Sequence, residues 1–159
     1  AGSEDKLNRC RELGADILIN YRDSDFVASL AEATDNHGAD VVLDNMGASY
    51  LGRNVDALAM DGHVVIIGMQ GGRKGEVDIA KLMGKRGNIT STGLRGRPLT
   101  GPGGKADIVA DVRAKLWPLI ADGSVQPIVS TELPITKAPL AHQLLDSPET
   151  VGKVILTVK

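Results

Sequence analysis

The residues in this chain with chemistry to offer are three histidines, one cysteine and a set of glycine-bearing turns. His37, His63 and His142 stand far apart, with no H-x-x-x-H or H-x-H spacing, and Cys10 is the single thiol. One cysteine forms neither an internal disulfide nor a cysteine-based zinc cluster, so no metal is expected. No Ser-His-Asp arrangement can be read from the spacing, and no catalytic acid, base or nucleophile is assigned. The literal match to a phosphate-binding G-x-G-x-x-[GA] turn is Gly101-Pro102-Gly103-Gly104-Lys105-Ala106. It precedes a helix, but its strand ends several residues earlier. The acid awaited about twenty residues on falls at Asp122, at a helix end rather than a strand end. The P-loop pattern fails as well, with Leu99 in place of its first glycine and Ala106 in place of Ser or Thr. This stretch reads as a loop.

Two other turns are better placed. Asn45-Met46-Gly47 and Gly68-Met69-Gln70 each follow an unbroken apolar run, where the carboxyl ends of parallel strands form a ligand crevice. Gly47 and Gly68 would let backbone approach a ligand closely. The plain alternative is two ordinary strand-to-helix turns, and Asp44 is suited to capping the first of them.

Elements that could hold these turns follow from the pattern. The 159 residues allow one domain and hardly two. With 42% apolar and 24% charged residues, disorder and fibrous repeats are excluded. A net charge of −2 provides no basic field for nucleic acid or a membrane surface. Runs such as Val64-Val65-Ile66-Ile67 are too short to span a bilayer, and residues 1–6 carry no apolar leader. A reducing cytoplasm is the expected setting.

Ser3 reads as the N-cap of a helix with Glu4 and Asp5 in its first turn. Leu7, Cys10 and Leu13 share one face, which places Cys10 in the core, and Gly14 stops the helix. Strands are expected at 17–19, 41–43 and 64–67. Helices built on Phe26, Val27, Leu30 and Ala31, and over 49–59 on Leu51, Val55 and Leu58, alternate with them. Continuous apolar strands imply burial on both faces, hence a doubly wound, mostly parallel α/β sheet between helix layers. Further on, a short helix carries Ile79, Leu82 and Met83, a strand covers 88–94, and 95–104 is loop. A long helix on Ile108, Val112, Leu116 and Leu119 should kink at Pro118. A strand at 125–129, a helix at 138–145 and a strand at 154–158 close the chain.

Several motifs carry a family resemblance. Ala1-Gly2-Ser3-Glu4-Asp5-Lys6-Leu7, Leu13-Gly14-Ala15-Asp16 and Ile19-Asn20-Tyr21 are followed by Leu43-Asp44-Asn45-Met46-Gly47-Ala48-Ser49-Tyr50. Asn54-Val55, Leu58-Ala59-Met60-Asp61-Gly62 and Ile67-Gly68-Met69-Gln70-Gly71-Gly72 come next. Lys85-Arg86-Gly87, Thr90-Ser91-Thr92, Leu94-Arg95 and Gly152-Lys153-Val154-Ile155-Leu156 complete the series. In this order and spacing they resemble the cofactor domain of zinc-independent quinone oxidoreductases, in the medium-chain dehydrogenase/reductase superfamily, nearest the tumour-suppressor-inducible branch. The β-rich catalytic domain and the first strand and Gly-rich turn of that family have no counterpart here, so the chain resembles a C-terminal fragment.

The resemblance implies a Rossmann-type fold, incomplete at its N-terminal edge. Residues 1–122 would form the partial NADP-binding domain, and 123–159 a segment that in the family returns towards the catalytic domain. The implied cofactor is NADPH and the implied reaction is hydride transfer to a quinone or similar activated carbonyl, the fragment itself being inactive. Gly2, Ser3 and Lys6 would meet the adenosine 2′-phosphate with a hydroxyl, helix amides and an ammonium. A capped helix with a solvated Lys is the plain alternative, and Glu4 and Asp5 sit awkwardly with the phosphate reading. Tyr21 would lie beside that phosphate, or be a surface tyrosine. Asn45, Met46, Gly47, Gly68, Met69 and Gln70 would face the ribose and nicotinamide, with Thr92, Gly93 and Leu94 running past it. Lys153 would close over the cofactor, or be a strand-edge charge. A homodimer is implied through the strand near Thr92. An enoyl or alcohol reductase of the same superfamily is the neighbouring possibility. A noncatalytic binding or dimerisation module, or a methyltransferase-like domain, belongs to a different class. Gly2-Ser3 argues against the last, which wants an acid for a ribose diol.

Overall fold

The computed structural model describes residues 1–147 and 149–158. They divide into two compact units, Ala1–Gly96 and Arg97–Lys159, each with its own sheet.

The first unit opens with α1 (Glu4–Glu12), whose acidic first turn and basic last turn suit the helix dipole. Only Leu7 is buried on it. Cys10 is exposed and Leu13 is 57% exposed, so the expected core position of Cys10 is corrected. Among the described residues no element covers that part of the helix face. Residues 17–19 form no ladder strand, against expectation. They run extended past the chain start, held by Ala1 N donating to Ile19 O (2.9 Å) and Tyr21 N donating to Ala1 O (3.2 Å). Then come α2 (Phe26–Ala33), β1 (Ala39–Asp44), α3 (Leu51–Ala57), β2 (Leu58–Ile66), α4 (Ile79–Gly84) and β3 (Asn88–Ser91).

Strands β1, β2 and β3 lie side by side in that order, all parallel, with a helix in each crossover. This is the parallel, Rossmann-like α/β arrangement expected from the unbroken apolar runs. Val42 pairs with Val64 and Ile89 continues the row, so the three carboxyl ends emerge together at Asp44, Ile66 and Ser91. The core lies where α3 meets β2, with Val55, Leu58, Ala59 and Val64 each at most 3% exposed. Helix α3 stops earlier than the pattern suggested, and β2 starts six residues earlier. Gly38 explains the tight hand-over: a Cβ there would lie 2.7 Å from the Ala57 carbonyl oxygen, at a φ of +88°. Burial on both faces holds for Val64 but not for β1, where Val41 is 63% and Leu43 67% exposed. Among the described residues β1 is paired along one edge only.

The amino end of this sheet is bound by charge. Arg86 donates twice to the Asp61 carboxylate, at 2.7 and 2.6 Å. Asp61 N donates to Lys85 O. The Lys85 ammonium donates to the carbonyls of Asp56 and Leu58, both at 2.6 Å, closing the C-terminus of α3.

The second unit contains α5 (Lys105–Lys115), α6 (Trp117–Ala121), β4 (Val129–Pro134), a 3₁₀ turn (Ile135–Lys137), α7 (Ala138–Asp146) and β5 (Lys153–Thr157). Pro118 does not kink one long helix. It sits in the first turn of a second, where no intrahelical N–H donor is needed. The strand expected at 125–129 begins only at Val129, because the preceding residues turn: Ser124 N donates to the Asp122 carboxylate and Val125 N to Leu119 O. Strands β4 and β5 are parallel with α7 between them, and Ala141 is the buried residue of that helix.

Candidate functional site

The carboxyl ends of β1, β2 and β3 carry most of the residues singled out from the sequence. Asp44, 4% exposed, ends β1 and turns its carboxylate onto the backbone that follows. Oδ1 accepts from Met46 N (2.7 Å) and Gly47 N (3.0 Å), and Oδ2 from Gly47 N (3.1 Å). The capping role read for Asp44 is therefore present, and it engages two amides that could otherwise have met a ligand. The next turn is stitched to this one. Ile67 N donates to Asp44 O, Gln70 N to Asn45 O, and Gly71 N to Met46 O. From the third strand end, Thr92 N donates to Ile66 O (3.1 Å).

The glycines serve this stitching. A Cβ on Gly68 would lie 2.6 Å from Asn45 O, and one on Gly47, where φ is +73°, 3.1 Å from Gly72 O. The close approach they permit is between the two turns. What faces outward is side chain: Asn45, Met69 and Gln70 are exposed, Met69 at 61%. Thr92, Gly93 and Leu94 are exposed too.

The chain start forms the second cluster. Ser3 occupies the N-cap of α1 in extended conformation, and its carbonyl accepts from Leu7 N. Its hydroxyl makes no capping bond, contrary to the simplest reading of a Ser there. Hydroxyl and first-turn amides are thus left together with Lys6, which is half-buried. Glu4 and Asp5 are exposed beside them. Tyr21 lies over Gly2: a Cβ there would meet its hydroxyl oxygen at 2.7 Å.

Between the two clusters is a cavity of about 420 Å³, with Ala1, Ile19 and Tyr21 on one side and Asp44, Asn45 and Met46 on the other. Phe26 and Tyr50 line it as well. Of the chain's four aromatic residues (one Trp, two Tyr, one Phe), three are here, so a flat apolar ligand surface has a matching wall. Phe26 and Tyr50 stack at 5.8 Å, and the Arg53 guanidinium lies 4.3 Å above the Phe26 ring. Arg53 also pairs with Asp25 at 3.1 Å. The Val27 amide first, then Arg53, hold the Asp25 carboxyl below its ordinary range. Sequence reasoning missed this wall, although the three-residue spacing of Tyr50 and Arg53 on one helix end was a usable signal.

The structure thus brings Tyr21 together with Asn45 and Met46 around one cavity, and stitches Gly47 to the turn of Gly68, Met69 and Gln70. Lys153 belongs to the second unit, where it begins β5 opposite Val129 and its amide donates to Ile128 O. Among the described residues no three His, Cys, Asp or Glu side chains are grouped to hold a metal ion. No described helix is long and apolar enough to cross a membrane.

Comparison with known proteins agrees with the resemblance read from the motifs. The chain is 27% identical over 155 residues to 2-haloacrylate reductase of a Burkholderia species. It superposes on the Escherichia coli quinone oxidoreductase complexed with NADPH at TM-score 0.80 and 28% identity, covering 98% of this chain. An NAD-dependent alcohol dehydrogenase matches over the whole chain at TM-score 0.78 and 31% identity. The chain spans 45%, 48% and 43% of these three proteins respectively, less than half of each. The match to 2-haloacrylate reductase takes in 97% of this chain. A family profile described as zinc-binding dehydrogenase matches residues 13–156. The hydroxyl, amides and ammonium at the chain start suit a phosphate-bearing cofactor. With its fold and nearly all of its length in agreement, the chain belongs to the zinc-binding dehydrogenase family.

Proposed function

We propose that this chain holds the adenosine and nicotinamide ribose portions of NADPH in an oxidoreductase that reduces a quinone or a similar activated carbonyl. The observation that carries the reading is the chain start. Gly2-Ser3 brings no carboxylate to the position that would grip a ribose diol, and the Ser3 hydroxyl makes no capping bond at the start of α1, whose first turn includes Lys6. The similarity to the E. coli quinone oxidoreductase complexed with NADPH supports it. When bound, the cofactor supplies a hydride at nicotinamide carbon 4; the chain's part is orientation and electrostatics. Ser3, Lys6 and Tyr21 hold the adenosine end, and Gly2 gives Tyr21 room. Asn45, Met46 and Gly47, with Gly68, Met69 and Gln70, present the middle of the crevice, and Thr92, Gly93 and Leu94 its far side. No described residue is assigned to zinc. A cytoplasmic homodimer, with residues 1–122 as cofactor domain and 123–159 as the returning segment, completes the reading. The similarity to 2-haloacrylate reductase favours a second reading, reduction of an activated double bond at the same crevice.

Lys6→Ala tests the proposal. A charged hydrogen bond to phosphate is worth about 1.5–3 kcal/mol, so NADPH binding should weaken roughly ten- to a hundredfold with NADH little changed. Fluorescence titration of both cofactors at fixed salt reads the contrast. Equal losses, or a wild-type preference for NADH, would show Lys6 to be a solvated helix charge.

A further inference from the structure

Resting on the NADPH reading, we infer that Arg22 is a specificity-determining residue, its guanidinium supplying a planar double donor to the adenosine 2′-phosphate beside Ser3 and Lys6. The placement comes from the chain start. Ala1 is bonded between Ile19 O and Tyr21 N, which sets residues 21–22 directly against residues 1–2. Both side chains then cross the backbone at Gly2: a Cβ there would lie 2.7 Å from the Tyr21 hydroxyl oxygen and 3.1 Å from Arg22 Nε. Any larger residue at position 2 would push the guanidinium away.

The guanidinium is also available. Among the described residues it makes no ion pair and no side-chain hydrogen bond. The adjacent acid does not take it, because Asp23 accepts from the Asn20 amide. That same Asn20 accepts from Arg22 N and fixes the turn from which the side chain departs. Glu4 and Asp5 are the other acids near the α1 start, both exposed. Lys6 and Arg22 offset them, so an anion arriving at Ser3 meets two cations there. A guanidinium offers two parallel donors to a phosphate where an ammonium offers a point charge, so the two are not interchangeable.

The experiment titrates NADPH, NADH and 2′,5′-ADP against wild type, Arg22→Ala and Arg22→Lys at fixed salt; 2′,5′-ADP reports binding without any turnover. Arg22→Ala should weaken NADPH and 2′,5′-ADP by about tenfold or more and leave NADH unchanged. Arg22→Lys should recover part of the loss but not all. It carries the test by itself should the alanine variant fail to fold, with NADH affinity as the measure of intact structure. Wild-type preference for NADPH that survives both substitutions, or equal losses for NADPH and NADH, overturns the assignment of Arg22 and leaves the NADPH reading standing. A wild type that favours NADH, or binds neither cofactor, overturns that reading and Arg22 with it.

Discussion

The two ends of the three-stranded sheet are held by different means. At the amino end, charged side chains are spent on the fold: Arg86 grips Asp61, Lys81 pairs with Asp56 at 2.6 Å, and Lys85 closes α3. At the carboxyl end the backbone holds itself. One buried carboxylate and a set of main-chain bonds knit the turns after β1 and β2, and the longer side chains are left pointing outward. A site must keep its functional groups uncommitted while its frame stays rigid, and main-chain stitching with glycines achieves both.

The largest test of this contrast is Asp44→Ala. It leaves the amides of Met46 and Gly47 without their acceptor in a buried turn, which should cost about 2–4 kcal/mol. A urea unfolding curve measures it, and Asp44→Asn, keeping one oxygen, should regain a good part. A shift no larger than that of a surface substitution would mean that the main-chain bonds suffice without Asp44.

Gly68→Ala comes next. Its methyl would press on Asn45 O and part the two turns, for a loss of about 1–3 kcal/mol and weaker cofactor binding. Gly84→Ala, at the end of α4 where an added Cβ meets nothing within 4 Å, is the matched control and should be neutral or slightly stabilising. Equal effects at the two glycines would remove the special status given to the carboxyl end.

Arg86→Ala is the smallest, because its pair with Asp61 is solvent-exposed. Its signature is pH dependence rather than size. The Arg86 guanidinium, chiefly through its hydrogen bonds, holds the Asp61 carboxyl below the ordinary range. The pair's contribution is therefore full above the ordinary carboxylate range and lost as pH falls through the lowered value. Removing Arg86 should flatten that acid limb in thermal melts across pH 2–5 or so. Because Arg86 has a φ of +50°, Arg86→Gly should be at least as stable as Arg86→Ala.

Much of the fold was legible because its strands are unbroken apolar runs: residues 41–43 and 64–67 could hardly be anything else, and the Asp44 cap followed from an acid immediately ahead of a turn. Boundaries were less so. Residues 125–129 have strand-forming types, yet the turn closed by Asp122 and the missing donor of Pro127 delay β4 to Val129. Cys10 has helical spacing from Leu7, but periodicity cannot tell which part of a stripe a neighbour will cover. The site divides in the same way. Strand-end glycines are a local signal. The crossing of Tyr21 and Arg22 over Gly2, and the stacking of Phe26 on Tyr50, join residues some twenty or more positions apart; only the three-residue spacing of Tyr50 and Arg53 is local.

The free edge of β1 has a consequence for handling the protein. Val41, Val42 and Leu43 present an apolar row whose outward amides and carbonyls have no ladder partner among the described residues. Neither a proline nor a lysine interrupts that row. Such an edge is a template: an extended apolar segment from any source, including a second molecule, can add to it strand by strand. Yield and homogeneity in solution will then depend on concentration and on what covers this one strand, more than on the stability of the core beneath it.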